Sequence, residues 1–390
     1  MARARVSHDP NEQEKLEWPH AWPAPWRNDR LIGHEPAEQT MLRAHQSERL
    51  HHAWLLTGPR GIGKATLAWR FARFLLAGQP AGLFAAAPAS GSRANARTAG
   101  HRPAGLSVAP DAPGRALVDA RSHPDLYHLR RTLNPDTGRI RAEVAVDDVR
   151  ELGAFMHMTP ALGEWRVAIV DSADEMNRNS ANAVLKILEE PPPKAVLLIV
   201  AHAPGRLLPT IRSRCRRLAL RPLPEQDVVS LLGDYAPDTK PEERAALARL
   251  GEGSIGRALE LASAGSLGLY RDMVDVLATL PDLDMVRLHG FAERFARRGE
   301  EANADWRSLN YLFDGWLKEL ARQAALGGES GAVVPQEKGL RARLMAAAGV
   351  DRWMEAWEKV AHLFSRSDAV NLDRKQTVLV SFLALQSAMR

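Results

Sequence analysis

The stretch Leu56–Ala72, LTGPRGIGKATLAWRFA, decides the fold. The apolar run Ala53–Thr57 predicts a buried strand, and Leu67, Phe71 and Phe74 recur at helical spacing on the far side of the turn. Gly58, Gly61 and Gly63 join the two segments, and Lys64 opens the helix. Such a strand, glycine turn and helix N-terminus form a cradle for phosphate. Backbone amides wrap the anion, the helix end adds partial positive charge, and the lysine reaches the terminal phosphates. A magnesium ion requires one thing more, a Ser or Thr hydroxyl directly after the lysine. Ala65 stands there. Thr66 is one residue further on, about 100° around a helix, so it does not simply substitute.

Outward from this loop, short apolar runs alternate with amphipathic helical patterns: Ala53–Thr57, Asp125–Leu129, Val167–Asp171, Ala195–Ala201 and Arg217–Leu220 are the strand candidates. The alternation predicts an α/β domain with one five-stranded parallel sheet covered by helices. The strand RVAIVD ends in Asp171, placed for a metal shell, but Ser172 follows where hydrolysis needs a glutamate to activate water. Asp174 and Glu175 lie beyond the strand and are expected to start the next helix. Two elements of nucleotide hydrolysis are therefore missing from independent motifs, which argues for a lost activity.

Composition narrows the class further. The 390 residues suffice for two or three domains, and 45% hydrophobic with 25% charged residues is ordinary for a globular chain. No long uninterrupted apolar run occurs and the N-terminus lacks the apolar centre of a secretory signal, so a cytoplasmic, non-membrane protein is expected. The single cysteine, Cys215, leaves no internal disulfide framework and no multi-cysteine zinc site within this chain; its simplest role is that of a small buried residue. A net charge of +5 permits a nucleic-acid partner without requiring one.

Residues 1–27, rich in Pro and Trp and without period, read as an N-terminal extension; 28–221 form the nucleotide-binding-like domain. Within it, residues 78–122 are dominated by Ala, Gly, Pro, Ser and Arg and read as a flexible insertion. A basic nucleic-acid arm is the rival reading, weakened by few aromatics for stacking. After Pro222 only helical patterns remain, read as a small helical domain over 222–265 and a larger all-helical one over 266–390. In the latter, Trp306, Leu309, Phe313, Trp316 and Leu317 fall on one helix face and are expected to be buried in a bundle.

The stretch after Asp171 resembles a known family. Asn182-Ala183-Val184-Leu185-Lys186, Leu188-Glu189-Glu190-Pro191-Pro192 and Ser213-Arg214-Cys215 are similar to the motifs of the clamp-loader ATPases of the AAA+ superfamily, and the likeness runs from about Leu31 to about Ala264. From the residues alone, the helix Arg178–Glu190 puts Ala181, Val184, Leu185 and Leu188 on one face and ends at Pro191. The basic residues Arg212, Arg216, Arg217 and Arg221 read equally well as the solvated face of an edge strand.

The resemblance implies an AAA+ (P-loop NTPase-like) domain, a helical lid at 222–265 and an all-α collar domain at 266–390 that joins subunits into a ring. It implies that Arg214 reaches the nucleotide of a neighbouring subunit, a catalytic arginine acting in trans. It also implies that Gly58, Gly61, Gly63, Lys64, Thr66 and Asp171 line a degenerate nucleotide site. In the lid, Gly253-Ser254-Ile255-Gly256-Arg257-Ala258-Leu259 places Gly256 where motor subunits carry a phosphate-sensing arginine, and Arg257 would point elsewhere. The sensor position near Ala201 and His202 also departs from the usual Thr or Asn.

Such a site holds ATP or ADP at most without turnover, and no zinc is expected. Implied partners are motor subunits (gamma/tau), a delta subunit, a sliding clamp and primer-template DNA. Two rivals remain: an active motor or related DNA-dependent AAA+ ATPase, and a scaffold outside replication.

Overall fold

The computed structural model describes residues 18–77, 105–132, 140–297, 299–327 and 331–389. The chain divides into two compact units, one up to Asp227 and one from Val228 onward. In the first, strands β1 (Ala53–Thr57), β2 (Leu126–Leu129), β3 (Arg166–Asp171), β4 (Ala195–Ala201) and β5 (Arg216–Ala219) form one sheet. All neighbours are parallel, in the order β2-β3-β4-β1-β5. Every residue of β1 and β4 is buried, as continuous apolar runs require when helices cover both faces of a parallel sheet. This is the five-stranded parallel sheet expected from the sequence.

Around it lie α1 (Glu35–Gln46), α2 (Lys64–Ala77), α3 (Arg115–Asp119), α4 (Val146–His157), α5 (Arg178–Glu189) and α6 (Pro209–Arg214). Strand alternation splits the core in two. Trp54, Leu56, Val167, Ile169, Val196 and Leu198 pack with Leu67 and Phe71 of α2 on one face. Leu55, Val170, Leu197 and Ile199 pack with Leu152 of α4 and Val184 and Leu188 of α5 on the other. The buried face of α5 differs from expectation at one position: Ile187 is buried and Leu185 only half-buried, because the stripe Ala181-Val184-Ile187-Leu188 is centred nearer the sheet. The helix stops at Glu189, just before the prolines.

Two segments depart from the sequence reading. The N-terminal extension is not wholly separate: residues 1–17 lie outside the described residues, but Ala24 and Trp26 are buried in the core. Trp26 stands 6.2 Å from Trp69 of α2, and the Arg121 guanidinium lies over its ring at 4.3 Å. The insertion is likewise corrected. Residues 78–104 lie outside the described residues, whereas 105–122 are anchored to the domain, with Leu106 and Val118 buried and α3 against α2.

The physical reason is a shared ionic cluster. Arg73 of α2, 2% exposed, meets Asp29 at 2.9 Å and Asp119 at 2.8 Å and donates to the Trp26 carbonyl at 2.9 Å. Arg115 pairs with both carboxylates and donates to the Val108 carbonyl at 2.7 Å. A buried guanidinium needs such partners, and besides Asp29 they come from the two segments whose composition looks least structured, Trp26 from one and Asp119 from the other.

The second unit is helical. Helix α7 (Glu225–Tyr235) runs across the border between units and is followed by α8 (Pro241–Leu250), α9 (Ile255–Ser263), α10 (Ser266–Leu277) and α11 (Met285–Glu293). Then come α12 (Glu300–Leu326), α13 (Leu340–Ala347), α14 (Val350–Val370) and α15 (Arg374–Ala388). The predicted face of α12 is buried throughout: Trp306, Leu309, Phe313, Trp316 and Leu317 are each no more than 2% exposed. Trp306 stacks on Phe364 of α14 at 4.8 Å and Phe313 on Phe382 of α15 at 5.0 Å. No helix among the described residues is long and apolar enough to cross a membrane.

Candidate functional site: a degenerate phosphate loop and a distant arginine

The loop after β1 has the backbone of a phosphate cradle. Gly58, Gly61 and Gly63 adopt φ of 145°, 77° and 104°, values that side-chain-bearing residues rarely take. A Cβ on Gly58 would come within 2.5 Å of the Leu220 carbonyl oxygen. Buried His34, a residue no motif pointed to, fixes the loop from the other side, its Nε2 lying 2.6 Å from the Ile62 carbonyl oxygen. Lys64 is 2% exposed and donates to the carbonyls of Gly58, at 2.7 Å, and Pro59. Burial pulls its pKa down to about 8 against the opposing pull of Asp171 and Asp174.

The metal-binding half of the site is poorer. Ala65 has no hydroxyl, and Thr66 beside it is buried at 7% exposure. At the end of β3, Ser172 is buried, and the two acids beyond it are already engaged. The Asp174 carboxylate accepts from the backbone amides of His202 and Ala203, each at 3.0 Å, tying the end of β3 to that of β4. Glu175 pairs with Arg131 at 2.7 Å. Both lie in a separate 3₁₀ turn, Ala173–Glu175, rather than starting the next helix; α5 begins at Arg178, where Asn177 caps the Ser180 amide at 2.9 Å. No local pattern signals this, because the Asp174 carboxylate accepts from an amide 28 residues away.

Charge is crowded at this strand end. Burial, then the Glu175 carboxylate, pushes Asp171 up to about 6, with Lys64 pulling the other way. Burial, then Lys64, pulls His202 down to about 4. An aspartate raised above its ordinary 3.8 binds more protons folded than unfolded between pH 3.8 and about 6. Its contribution to stability is therefore best below that window and declines as pH rises through it. Asp171→Asn removes the titration. The thermal midpoint of the variant relative to the parent is expected to rise from pH 4 to pH 6.5 and then level off; a difference independent of pH would show that Asp171 is not perturbed.

Arg214 lies elsewhere. It ends α6, its Nη1 donates to the Thr210 carbonyl at 3.2 Å, and its Nη2 stands 3.0 Å from Oε1 of Glu189 at the end of α5. The parallel register pairs Arg216 with Trp54 and Ala219 with Thr57, so Arg214 precedes β5 at the N-terminal edge of the sheet. The phosphate loop opens at the C-terminal edge. The two are separated by at least the length of the strand, on the order of 10 Å. The structure thus brings Gly58, Gly61, Gly63, Lys64, Thr66 and Asp171 to one edge and Arg214 to the opposite one.

Arg212, Arg216, Arg217 and Arg221 are exposed, with Arg216 over the Trp54 ring at 4.8 Å. Cys215 is half-buried rather than fully so, and burial pushes its thiol up to about 12. In the second unit, Arg257 pairs with Glu260 at 3.0 Å and lies over the Tyr311 ring at 4.3 Å. No group of three or more His, Cys, Asp or Glu suited to a metal ion occurs among the described residues.

Residues 108–224 match the family described as "DNA polymerase III, delta subunit". The chain is 38% identical over 173 residues to DNA polymerase III subunit delta' of Pseudomonas aeruginosa, covering 44% of each chain. It is 34% identical over 226 residues to the subunit of that name in Escherichia coli, covering 58% of this chain and 59% of that one. DNA polymerase III subunit gamma/tau of Mycobacterium bovis is 33% identical over 205 residues, 52% of this chain and 30% of that one. The chain thus spans about half the length of the delta' relatives it matches. These likenesses bear out the resemblance carried by Asn182–Lys186, Leu188–Pro192 and Ser213–Cys215: over about half its length the chain is similar to DNA polymerase III subunits called delta'.

Proposed function

We propose that this chain is a delta'-type ring subunit of a bacterial clamp loader, one that does not hydrolyse ATP itself and supplies Arg214 to the nucleotide of a neighbouring subunit. The carrying observation is the separation of the two halves of the chemistry. Arg214 stands at the opposite edge of the sheet from the chain's own phosphate loop, so the anion it serves belongs to another molecule. A trans arginine stabilises charge on the transferring phosphoryl group and needs no active site in its own subunit.

The glycine loop and Lys64 fit the phosphates of ATP or ADP. The magnesium ion that would normally accompany them does not fit: Ala65 offers no ligand, and Asp174 and Glu175 are held by the His202 and Ala203 amides and by Arg131. Nucleotide bound there is held rather than turned over. No zinc is required. The partners are motor subunits of the gamma/tau kind, a delta subunit and, through the assembled ring, a sliding clamp and primer-template DNA; the helices after 266 contribute to the collar.

The likeness to gamma/tau favours one rival, an active motor ATPase. Steady-state ATP turnover by the isolated chain separates the two. Turnover at the level of buffer is expected. Hydrolysis that is abolished by Lys64→Ala would establish the motor reading instead, and hydrolysis that survives that substitution would come from a contaminant.

A further inference from the structure

The contact between Glu189 and Arg214 joins two motifs that sequence treats as independent, Leu188–Pro192 and Ser213–Cys215. Glu189 is the last residue of α5 and Arg214 the last of α6, and the two helices pack through buried Ile187, Leu188 and Ile211. The guanidinium is fixed at both terminal nitrogens, Nη2 at 3.0 Å from the Glu189 carboxylate and Nη1 donating to the Thr210 carbonyl. The side chains are 38% and 50% exposed. An ion pair this exposed adds little to stability, so its consequence is geometric. A free arginine side chain samples many rotamers, and ordering it when it meets an anion costs binding strength. Two fixed donors out of five restrict the search and leave the remaining N–H groups for an incoming anion on this 38% exposed side chain.

We propose that Glu189 is a positioning residue for Arg214: its carboxylate pre-orders the guanidinium at the exposed end of α6 so that the open donors meet a phosphate carried by a neighbouring molecule. This rests on the reading of Arg214 as an arginine that acts in trans. Glu189 touches no reacting atom and acts through Arg214. Glu190, next in sequence and exposed, serves as the control.

The test uses the complete loader reconstituted with the full-length chain, and reads the rate of clamp loading as a function of ATP concentration. Glu189→Ala and Glu189→Gln are expected to slow loading about 3- to 10-fold at saturating ATP, with the half-saturating ATP concentration, assembly and thermal midpoint unchanged. Glu189→Asp should recover at least half of the rate, and Glu190→Ala should match the parent. In an Arg214→Ala background, Glu189→Ala should have no further effect.

If Arg214→Ala slows loading and Glu189→Ala does not, the positioning role is overturned while the trans-arginine reading stands. Equal slowing by Glu189→Ala in the presence and absence of Arg214 also overturns it, because the effect would then not pass through the guanidinium. Loading that is normal without Arg214 removes the reading on which the role depends.

Discussion

Glu337→Ala is expected to lower the thermal midpoint of the helical unit by about 6–20 °C. Glu337 is 3% exposed and gathers five donors. Oε1 accepts from Tyr270 Oη at 2.6 Å, Trp316 Nε1 at 3.0 Å and Arg341 Nη2 at 2.7 Å. Oε2 accepts from the amides of Val333 at 2.6 Å and Val334 at 3.2 Å. One carboxylate therefore links α10, α12, α13 and the turn Pro335–Glu337. Alanine leaves the buried Arg341 guanidinium, the indole and the phenol facing a hole without an acceptor.

Breaking a buried pair by removing one partner costs about 3–5 kcal/mol, and each kcal/mol shifts the midpoint of a domain this size by about 2–4 °C. Glu337→Gln keeps the shape and one acceptor, so its loss should be smaller. Thermal unfolding followed by circular dichroism checks both. A drop below about 2 °C for alanine would mean that the helices close around the site without the carboxylate. The same hub holds the Tyr270 phenol far above its ordinary range, chiefly through burial and then through the adjacent carboxylate.

Neither Glu337 nor its pairing with Tyr270, Trp316 and Arg341 was legible in sequence, and the reason is general. Periodicity reports which face of an element is apolar, and it served well where burial alone decides: β1 and β4 at their observed bounds, and the α12 face from Trp306 to Leu317. It carries no information about which distant charge meets which. Arg73 finds Asp29 across 44 residues and Arg115 finds Asp29 across 86. Those pairings, with Leu106, Val118 and Trp26 between them, convert stretches of low-complexity composition into packed core.

The candidate site divides along the same line. The glycines and Lys64 were readable because the cradle is local, a strand, a turn and a helix end. His34 beneath the loop, the use of Asp174 as a brace for β4, and the Glu189–Arg214 pair all depend on contacts between elements far apart in the chain. Arg214 itself was singled out by motif resemblance, while its place at the opposite edge of the sheet became visible only in the strand register.

On the proposed role of Arg214 in trans, Arg214→Ala should leave folding and assembly intact yet slow clamp loading by the complete ring at least 10-fold. Stability should hardly change, since the ion pair lost with Glu189 is a half-exposed one, worth about 0–1 kcal/mol. Trans arginines of this kind contribute about 10³- to 10⁵-fold to phosphoryl transfer in other systems. Here one nucleotide site of several in the ring would be affected, so total ATP hydrolysis should fall only in part. Under the proposed trans role, loading should fall further.

Arg217→Ala is the control for loss of positive charge. Arg217 is exposed on edge strand β5, with its Nε 3.4 Å from Thr57 Oγ1, and it belongs to the sheet rather than to the end of α6. Its removal should leave loading within twofold of the parent. Measured side by side under single-turnover conditions, a specific role predicts a wide gap between the two substitutions. Equal behaviour would assign the effect to the basic face as a whole, and normal loading without Arg214 would leave this chain a scaffold in the ring.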